Sequence, residues 1–397
     1  MKRLHIADTE MICAGDVTDI YFVRTERILN ARQLNEHVCM EIFLKSLPDK
    51  RYRWGVFAGL EEVCTLLEGR PVTVHSLPEG TVFFPRTPVM TIEGKYLDFG
   101  EMETAILGCL CQASGIATRA SRFKAAAGDK PVMSFGARRI HPAIAPMVER
   151  AAYIGGCDGV STVAGARLIG EAPVGTIPHA LVLIMGDTLD ATQAFDEVIE
   201  KNVPRISLID TFQDEKFEAI HVAGHMKERL SGIRLDTPTS RRGDFKSLLN
   251  EVRWELDLRG HTHVRLVVSG GLDVKDVLDL ADAADVFGVG THLSGSATLD
   301  FSMDIVEIGG KPIAKRGKES GKKSVLRCRS CMKDYVVPYG TARTCECSGD
   351  LEPLLSKIID SGRIVSGLPD AQQIRKRCMD EVALMRRNTP AKEFLNL

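Results

Sequence analysis

Two hydrophobic periods divide this 397-residue chain. Near the amino end, short alternating stretches such as Pro71-Val72-Thr73-Val74-His75 and Pro88-Val89-Met90-Thr91-Ile92-Glu93-Gly94 are broken by turn signals such as Pro78-Glu79-Gly80. That pattern predicts half-buried strands of a small sheet. Between Glu101 and Ala127 the apolar residues recur at helical spacing, which predicts a long helix leaving the sheet. Farther on, short apolar runs at 132–136, 159–163, 174–178, 206–210, 232–236, 264–269 and 286–290 alternate with helical patterns. These read as seven strands. The helical stretches 214–230, 244–258 and 273–283 open on acidic residues, as helix amino termini favour. Repeated strand–helix units imply parallel strands with right-handed crossovers. Polar residues recur where the strands stop, and several strand ends converging on one mouth is the arrangement of a barrel site. The expected fold is therefore α/β, an irregular and incomplete barrel with no eighth strand in view.

Composition narrows the class. Lys and Arg number 51 against 53 Asp and Glu, a formal net charge of −2, with 44% apolar and 26% charged residues. This is the make-up of a folded globular protein and gives no electrostatic case for a nucleic-acid or membrane-surface binder. No apolar run reaches the length of a membrane span, and charge precedes any hydrophobic stretch at Met1-Lys2-Arg3, so a cytoplasmic location is expected. Seven of the eleven cysteines are scattered through apolar segments and read as buried thiols. The segment 309–327 carries seven Lys or Arg against one acid, Glu319, and reads either as a phosphate-facing loop or as a solvated connector. The stretch 370–387 reads as an amphipathic terminal helix.

Candidate chemistry falls into two groups. Cys328, Cys331, Cys345 and Cys347 form two close pairs suited to a tetrahedral ion. Four protein sulfurs leave no position for water or substrate, so the metal would be structural, zinc or alternatively iron. The second group lies at the strand ends. Gly288, Gly290 and Thr291, with Ser269, Gly270 and Gly271, offer backbone amides to a phosphate or are simply tight turns. Asp210 and Asp236 suit Mg²⁺ or ribose hydroxyls, Arg138 and Arg234 suit phosphate or carboxylate, and Phe135 suits a flat ring; surface charges capping helices are the bland alternative. His179 is either structural or a base or phosphate acceptor.

These residues stand in an order that resembles the nicotinate phosphoribosyltransferases: Ser134-Phe135-Gly136-Ala137-Arg138-Arg139, Gly175-Thr176-Ile177-Pro178-His179-Ala180, Ile209-Asp210-Thr211-Phe212, Gly232-Ile233-Arg234-Leu235-Asp236 and Phe287-Gly288-Val289-Gly290-Thr291. Thr18-Asp19-Ile20-Tyr21 is similar to that family's aspartate-x-tyrosine element. The cysteine pairs look like the archaeal-type branch of these type II phosphoribosyltransferases. The resemblance implies an amino-terminal α/β domain over 1–125, a barrel over 126–305 and a small four-cysteine zinc-knuckle domain within 306–397. It implies synthesis of nicotinate mononucleotide and pyrophosphate from nicotinate and phosphoribosyl pyrophosphate (PRPP), for NAD salvage, with ATP hydrolysed through a phosphohistidine.

Carried over position by position, the resemblance has Phe135 stack on the pyridine ring, with Tyr21 of a partner subunit opposite and Asp19 beside it. Arg138 holds the carboxylate, and Ser161 and Thr162 border the ring, where nicotinamide-specific animal enzymes carry aspartate at the place of Ser161. His179 accepts the phosphoryl group. Asp210 and Asp236 handle ribose and Mg²⁺, Arg234 the pyrophosphate, and the glycines with Ser269 and Thr291 the 5′-phosphate. The implied assembly is a homodimer with shared active sites, alone or as a trimer of dimers. Rival expectations are a quinolinate transferase, which binds two carboxylates and uses no ATP, a nicotinamide transferase, and a non-catalytic scaffold.

Overall fold

The computed structural model describes residues 4–387 and 390–396, which form two compact units. The first runs to Thr118 and resumes from Ala297 to Arg387; the second holds Arg119–Ser296 together with 390–396. No helix among the described residues is long and apolar enough to cross a membrane.

The first unit is built on a seven-stranded antiparallel sheet. Its order is Lys311–Pro312, Phe301–Ile308, His37–Leu44, Pro88–Lys95, Thr73–Ser76, Ser356–Asp360 and Arg363–Ile364. The boundary expected at 305/306 thus falls inside the strand Phe301–Ile308, which pairs with His37–Leu44. The predicted half-buried alternation holds for Thr73–Ser76 but not for the central strands, where Val38 through Leu44 are all buried. Helix Leu60–Leu67 and the first half of the long helix Glu103–Ala127 contribute Leu60, Val63, Leu67, Ile106 and Leu110 to the same core as Met40, Ile42 and Leu44.

Burial on both faces has an electrostatic consequence. Glu41 and Asp304 sit opposite each other on adjacent strands, both nearly out of solvent. Buried carboxylates require counter-charge. The segment 309–327 supplies it: Lys323 Nζ lies 2.8 Å from Glu41, Lys318 Nζ lies 3.1 Å from Asp304, Lys315 also pairs with Asp304, and Lys322 pairs with Glu93. This segment is therefore neither a free connector nor, at these four lysines, an open phosphate loop.

The four-cysteine region belongs to a three-stranded sheet of this first unit, Asp334–Pro338, Lys323–Cys328 and Leu351–Pro353. Helix Ala371–Arg386 closes on it as the amphipathic pattern predicts, with a capping box between Asp370 and Gln373 and with Ile374, Cys378 and Val382 buried. The other scattered cysteines are likewise free thiols, buried or partly buried.

The second unit contains six parallel strands in the order Gly159–Val160, Val132–Ser134, Val286–Val289, Arg265–Val268, Gly232–Leu235 and Ile206–Leu208. No strand pairing closes this sheet into a barrel among the described residues. The seventh expected strand, 174–178, is irregular and touches the edge through one bond, Val174 N–H to Val160 C=O at 2.8 Å. Pro173, Gly175 and Pro178 explain it: prolines donate nothing to a ladder and glycine weakens one. The acidic helix starts are found as read, with Asp214, Asp244 and Asp273 each accepting a backbone N–H from the first turn of helices Glu215–Met226, Phe245–Leu258 and Val274–Leu280. Because all six strands run the same way, their carboxyl ends share one edge of the unit, where the polar residues of the sequence collect.

Candidate active site

A cavity of about 540 Å³ opens at that edge, within the range of sites for small organic ligands. Its wall combines Phe135, Arg138, Ser161, His179, Arg234 and Asp236 with Ser269, Gly270, Gly271, Gly288, Gly290 and Thr291. Twelve residues singled out along some 160 positions thus meet at one place: all but His179 lie at or just past the carboxyl ends of strands of one parallel sheet, and His179 follows the irregular segment at its edge.

Two contacts show why glycine stands where it does. A Cβ on Gly288 would lie 2.6 Å from Cδ2 of Phe135, so the ring rests directly on that backbone. Gly270 has φ +95°, and a Cβ there would meet the carbonyl oxygen of Asp236 at 2.9 Å. The pairings Val267 with Val286 and Val268 with Phe287 place the turn after Val268 beside the turn after Val289, so the two glycine-rich strand ends form one wall.

Charge is concentrated on the other side of these turns. Ser269 Oγ–H donates to Asp236 Oδ1 at 2.6 Å. Asp210 does not itself line the cavity; its side chain is only 3% exposed, and its Oδ1 lies 3.3 Å from Nε2 of His179, which does. Burial pushes the Asp210 carboxyl above the usual range; neighbouring His179 opposes this and the charge of Asp236 adds to it. Burial likewise lowers the Arg234 pKa, against the pull of Asp236 and Asp210, while Arg138 adds to the lowering. Thr176 Oγ1, Thr211 Oγ1 and Arg234 Nε are all buried without a hydrogen-bond partner among the described residues. Each such atom costs about 1–3 kcal/mol. Two of these residues, Thr176 and Arg234, line the cavity, as in a site shaped for a polar ligand. The chemistry of two carboxylates, Asp210 and Asp236, also suits a divalent cation.

Besides Asp210, one residue expected on this wall is placed otherwise. Thr162 turns from the cavity: its hydroxyl caps helix Val163–Ile169, accepting from Gly165 N–H at 3.0 Å, and donates to Glu149. Asp19 and Tyr21 lie in the first unit, Asp19 accepting from the Thr104 hydroxyl at 3.1 Å and Tyr21 standing 55% exposed. The sequence reading passed over Arg139, Gly175 and Thr176, which also line the cavity, although all three stand inside the quoted stretches. It missed Glu149 altogether. The available signal was positional, since Glu149 shares a helical face with the buried Ala145 and Ala152.

The four cysteines meet in the first unit. Their sulfur atoms lie within 4.8 Å of one another, with Cys328–Cys347 at 3.4 Å, Cys331–Cys345 at 3.5 Å and Cys345–Cys347 at 3.3 Å. Four thiolates about 2.3 Å from a central ion would stand roughly 3.8 Å apart, so the donor set fits tetrahedral zinc.

Comparison with known proteins agrees with this geometry. Residues 116–304 match the family model of the quinolinate phosphoribosyl transferase C-terminal domain, and 19–114 match that of its N-terminal domain. The nicotinate phosphoribosyltransferase pncB1 of Mycobacterium tuberculosis is 33% identical over 356 residues, covering 79% of this chain and 78% of the relative. A crystal structure of nicotinate-nucleotide pyrophosphorylase from Pyrococcus furiosus superposes with a TM-score of 0.95 at 51% identity, over 97% of this chain and 99% of that one. Human nicotinic acid phosphoribosyltransferase shares the fold, with a TM-score of 0.74 at 19% identity over 95% of each chain. A cavity bounded by an aromatic ring, an arginine pair and two glycine-rich strand ends, on a chain so related, places this protein in the nicotinate phosphoribosyltransferase family of type II phosphoribosyltransferases.

Proposed function

We propose that the protein joins nicotinate to PRPP, forming nicotinate mononucleotide and pyrophosphate in NAD salvage, and that ATP hydrolysis through His179 drives the step. The observation that carries this reading is the order of side chains across the sheet. Ser161 ends the first strand, Phe135 and Arg138 follow the second, the glycine-rich turns follow the third and fourth, and Arg234 with Asp236 ends the fifth. That order suits a ligand that is aromatic acid at one end, sugar phosphate in the middle and pyrophosphate at the other.

The chemistry asks little of a base. As pyrophosphate leaves the anomeric carbon, positive charge grows on the ribose and negative charge on the leaving group, and the pyridine nitrogen already has its lone pair. The residues of this chain then act by placement and charge. Phe135 stacks on the ring, Arg138 pairs with the carboxylate, Arg234 faces the pyrophosphate, and Asp236, held by Ser269, orients the ribose. Asp210 and Asp236 are the residues that would hold Mg²⁺, which would supply further neutralisation of the leaving group. His179, set against Asp210, accepts the phosphoryl group of ATP, and its phosphorylation favours the conformation that binds PRPP.

We further propose that the four-cysteine cluster holds a structural zinc, as in an archaeal-type member of the family. The working form would be a homo-oligomer in the cytoplasm, a dimer or a trimer of dimers. The exposure of Tyr21 suits its contribution, with Asp19, to the site of a neighbouring copy.

The test is an incubation with labelled nicotinate, PRPP and Mg²⁺, with and without ATP, repeated with quinolinate and with nicotinamide. Nicotinate mononucleotide formed from nicotinate and stimulated by ATP is expected. Turnover of quinolinate alone would overturn the reading in favour of a dicarboxylate, for which Arg138 and Arg139, both on the cavity wall, offer two guanidiniums. His179→Asn is expected to abolish ATP stimulation while leaving slow ATP-independent transfer; undiminished coupling would remove His179 from that role.

A further inference from the structure

Among the described residues Glu149 pairs with no cation and does not itself line the cavity, yet it is fully buried in helix Ala145–Ile154. Its carboxylate is surrounded by donors from the next strand end. Oε1 accepts from Ser161 N–H and from Ser161 Oγ–H, each at 2.8 Å, and from Thr162 N–H at 3.1 Å. Oε2 accepts from Thr162 N–H at 3.2 Å and from the Thr162 hydroxyl. Gly165, one turn into the following helix, leaves the space this requires, since a Cβ there would fall 2.0 Å from Oε2.

We propose that Glu149 is a positioning residue that fixes the Ser161 edge of the ring-binding end of the cavity. Three observations lead there. Ser161 lines the cavity, and it follows a strand paired to the one that Phe135 follows, the register joining Ser134 with Val160. Both donors of Ser161 are spent on Glu149, so its hydroxyl proton points away from the cavity and its oxygen presents lone pairs to a ligand. A buried carboxylate taking four donors from two consecutive residues also leaves that turn one conformation, where a short strand of two residues at the edge of the sheet would otherwise be loosely held. The chain therefore spends a buried charge on holding one wall, and recognition of the substrate's carboxylate is left to Arg138.

This inference rests on the proposed use of nicotinate, and the experiment separates the two. Steady-state kinetics of Glu149→Gln, Ser161→Ala and the double variant are compared with wild type, varying nicotinate and PRPP in turn. Glu149→Gln keeps the shape but puts an NH₂ where an acceptor oxygen stood, against donors of Thr162. Its KM for nicotinate is expected to rise about tenfold, and its KM for PRPP to change by less than about twofold. Because Glu149 acts through Ser161, the double variant should lose little more than the worse single variant. Equal rises in both KM values, or effects of the two substitutions that multiply, would overturn the proposal. Should Glu149→Gln not fold, Thr162→Val, which removes one hydroxyl donor and keeps the backbone bonds, is expected to raise the nicotinate KM alone by a smaller factor; a KM unchanged within error would overturn it equally. The wild-type rate on nicotinate reports separately on the function.

Discussion

Arg234→Ala is expected to lower kcat/KM for mononucleotide synthesis by about 100- to 1,000-fold while the protein stays folded. Arg234 ends the strand Gly232–Leu235, and its guanidinium stands between the charges of Asp236 and Asp210. Among the described residues its one hydrogen bond is long, Nη2–H to the carbonyl of Ile177 at 3.4 Å, and Nε is buried with no partner. A cation so poorly used by the fold contributes little to stability, and truncating it removes a buried unsatisfied donor. The loss should fall on the reaction, where negative charge grows on pyrophosphate and a preorganised guanidinium is worth most. Arg234→Lys keeps the charge without the planar fork and should lie between. A second readout follows from the neighbouring carboxylates. Asp210 is already held above the usual carboxyl range by burial. Removing a nearby cation raises it further, so the acid form persists to higher pH. Activity that needs Asp210 ionised is lost as pH falls, and in the variant that loss should begin at a higher pH than in wild type. Unchanged kcat/KM with an unchanged acid limb would remove Arg234 from the site.

Much of this site was legible because a parallel sheet encodes it locally. Each buried strand is a short, largely apolar run that stops at the edge, and the residue just past it lines the cavity: Ser269 after Val268, Asp236 after Leu235, Phe135 after Ser134. What local pattern does not contain is where a side chain turns at a shared boundary. Ser161 and Thr162 are neighbours in sequence, but the first faces the cavity and the second caps the next helix, a choice made by Glu149 twelve residues earlier. The seven-stranded sheet was hidden for a related reason. It pairs Thr73–Ser76 with Ser356–Asp360, and no periodicity within either stretch names so distant a partner. The basic segment misled because lysine and glycine describe a solvated loop equally well; only the buried Glu41 and Asp304 across the sheet decide that its lysines are engaged. The incomplete barrel expected from seven runs is an open six-stranded parallel sheet among the described residues, the stretch 174–178 between Pro173 and Pro178 keeping a single ladder bond.

The other large effect concerns the cysteine cluster. The purified protein is expected to carry about one zinc per chain, and Cys328→Ser and Cys345→Ser to lose both the metal and several degrees of thermal stability. The argument is one of scale. Residues 328–347 fold over a core whose buried members are Cys328, Tyr335 and Cys345, flanked by Leu326, Val337 and Leu351. Burying so few side chains at about 1.5–3 kcal/mol each falls short of the roughly 1–2 kcal/mol per residue that ordering the backbone costs. A tetrathiolate ion would supply what the core lacks, since structural zinc binds small peptides with an apparent ~10–16 kcal/mol, on the order of the whole stability of a domain. The loss should spread past the knuckle through Arg327, the neighbour of Cys328. Its guanidinium, 4% exposed, bonds Asp334 at 2.7 and 2.9 Å, Glu381 of the terminal helix at 2.9 Å and the carbonyl of Val82 at 2.5 Å. With the turn at Cys328 released, that buried charge loses its fixed geometry, and helix Ala371–Arg386 loses a partner for Glu381. Amide exchange in that helix should therefore rise in the metal-free protein. Cys378→Ser is the control: Cys378 is fully buried in the same helix but stands outside the cluster, so it should cost some stability and leave the metal content unchanged. Full zinc occupancy in Cys328→Ser, or wild-type stability after chelation, would show that the four sulfurs meet for another reason.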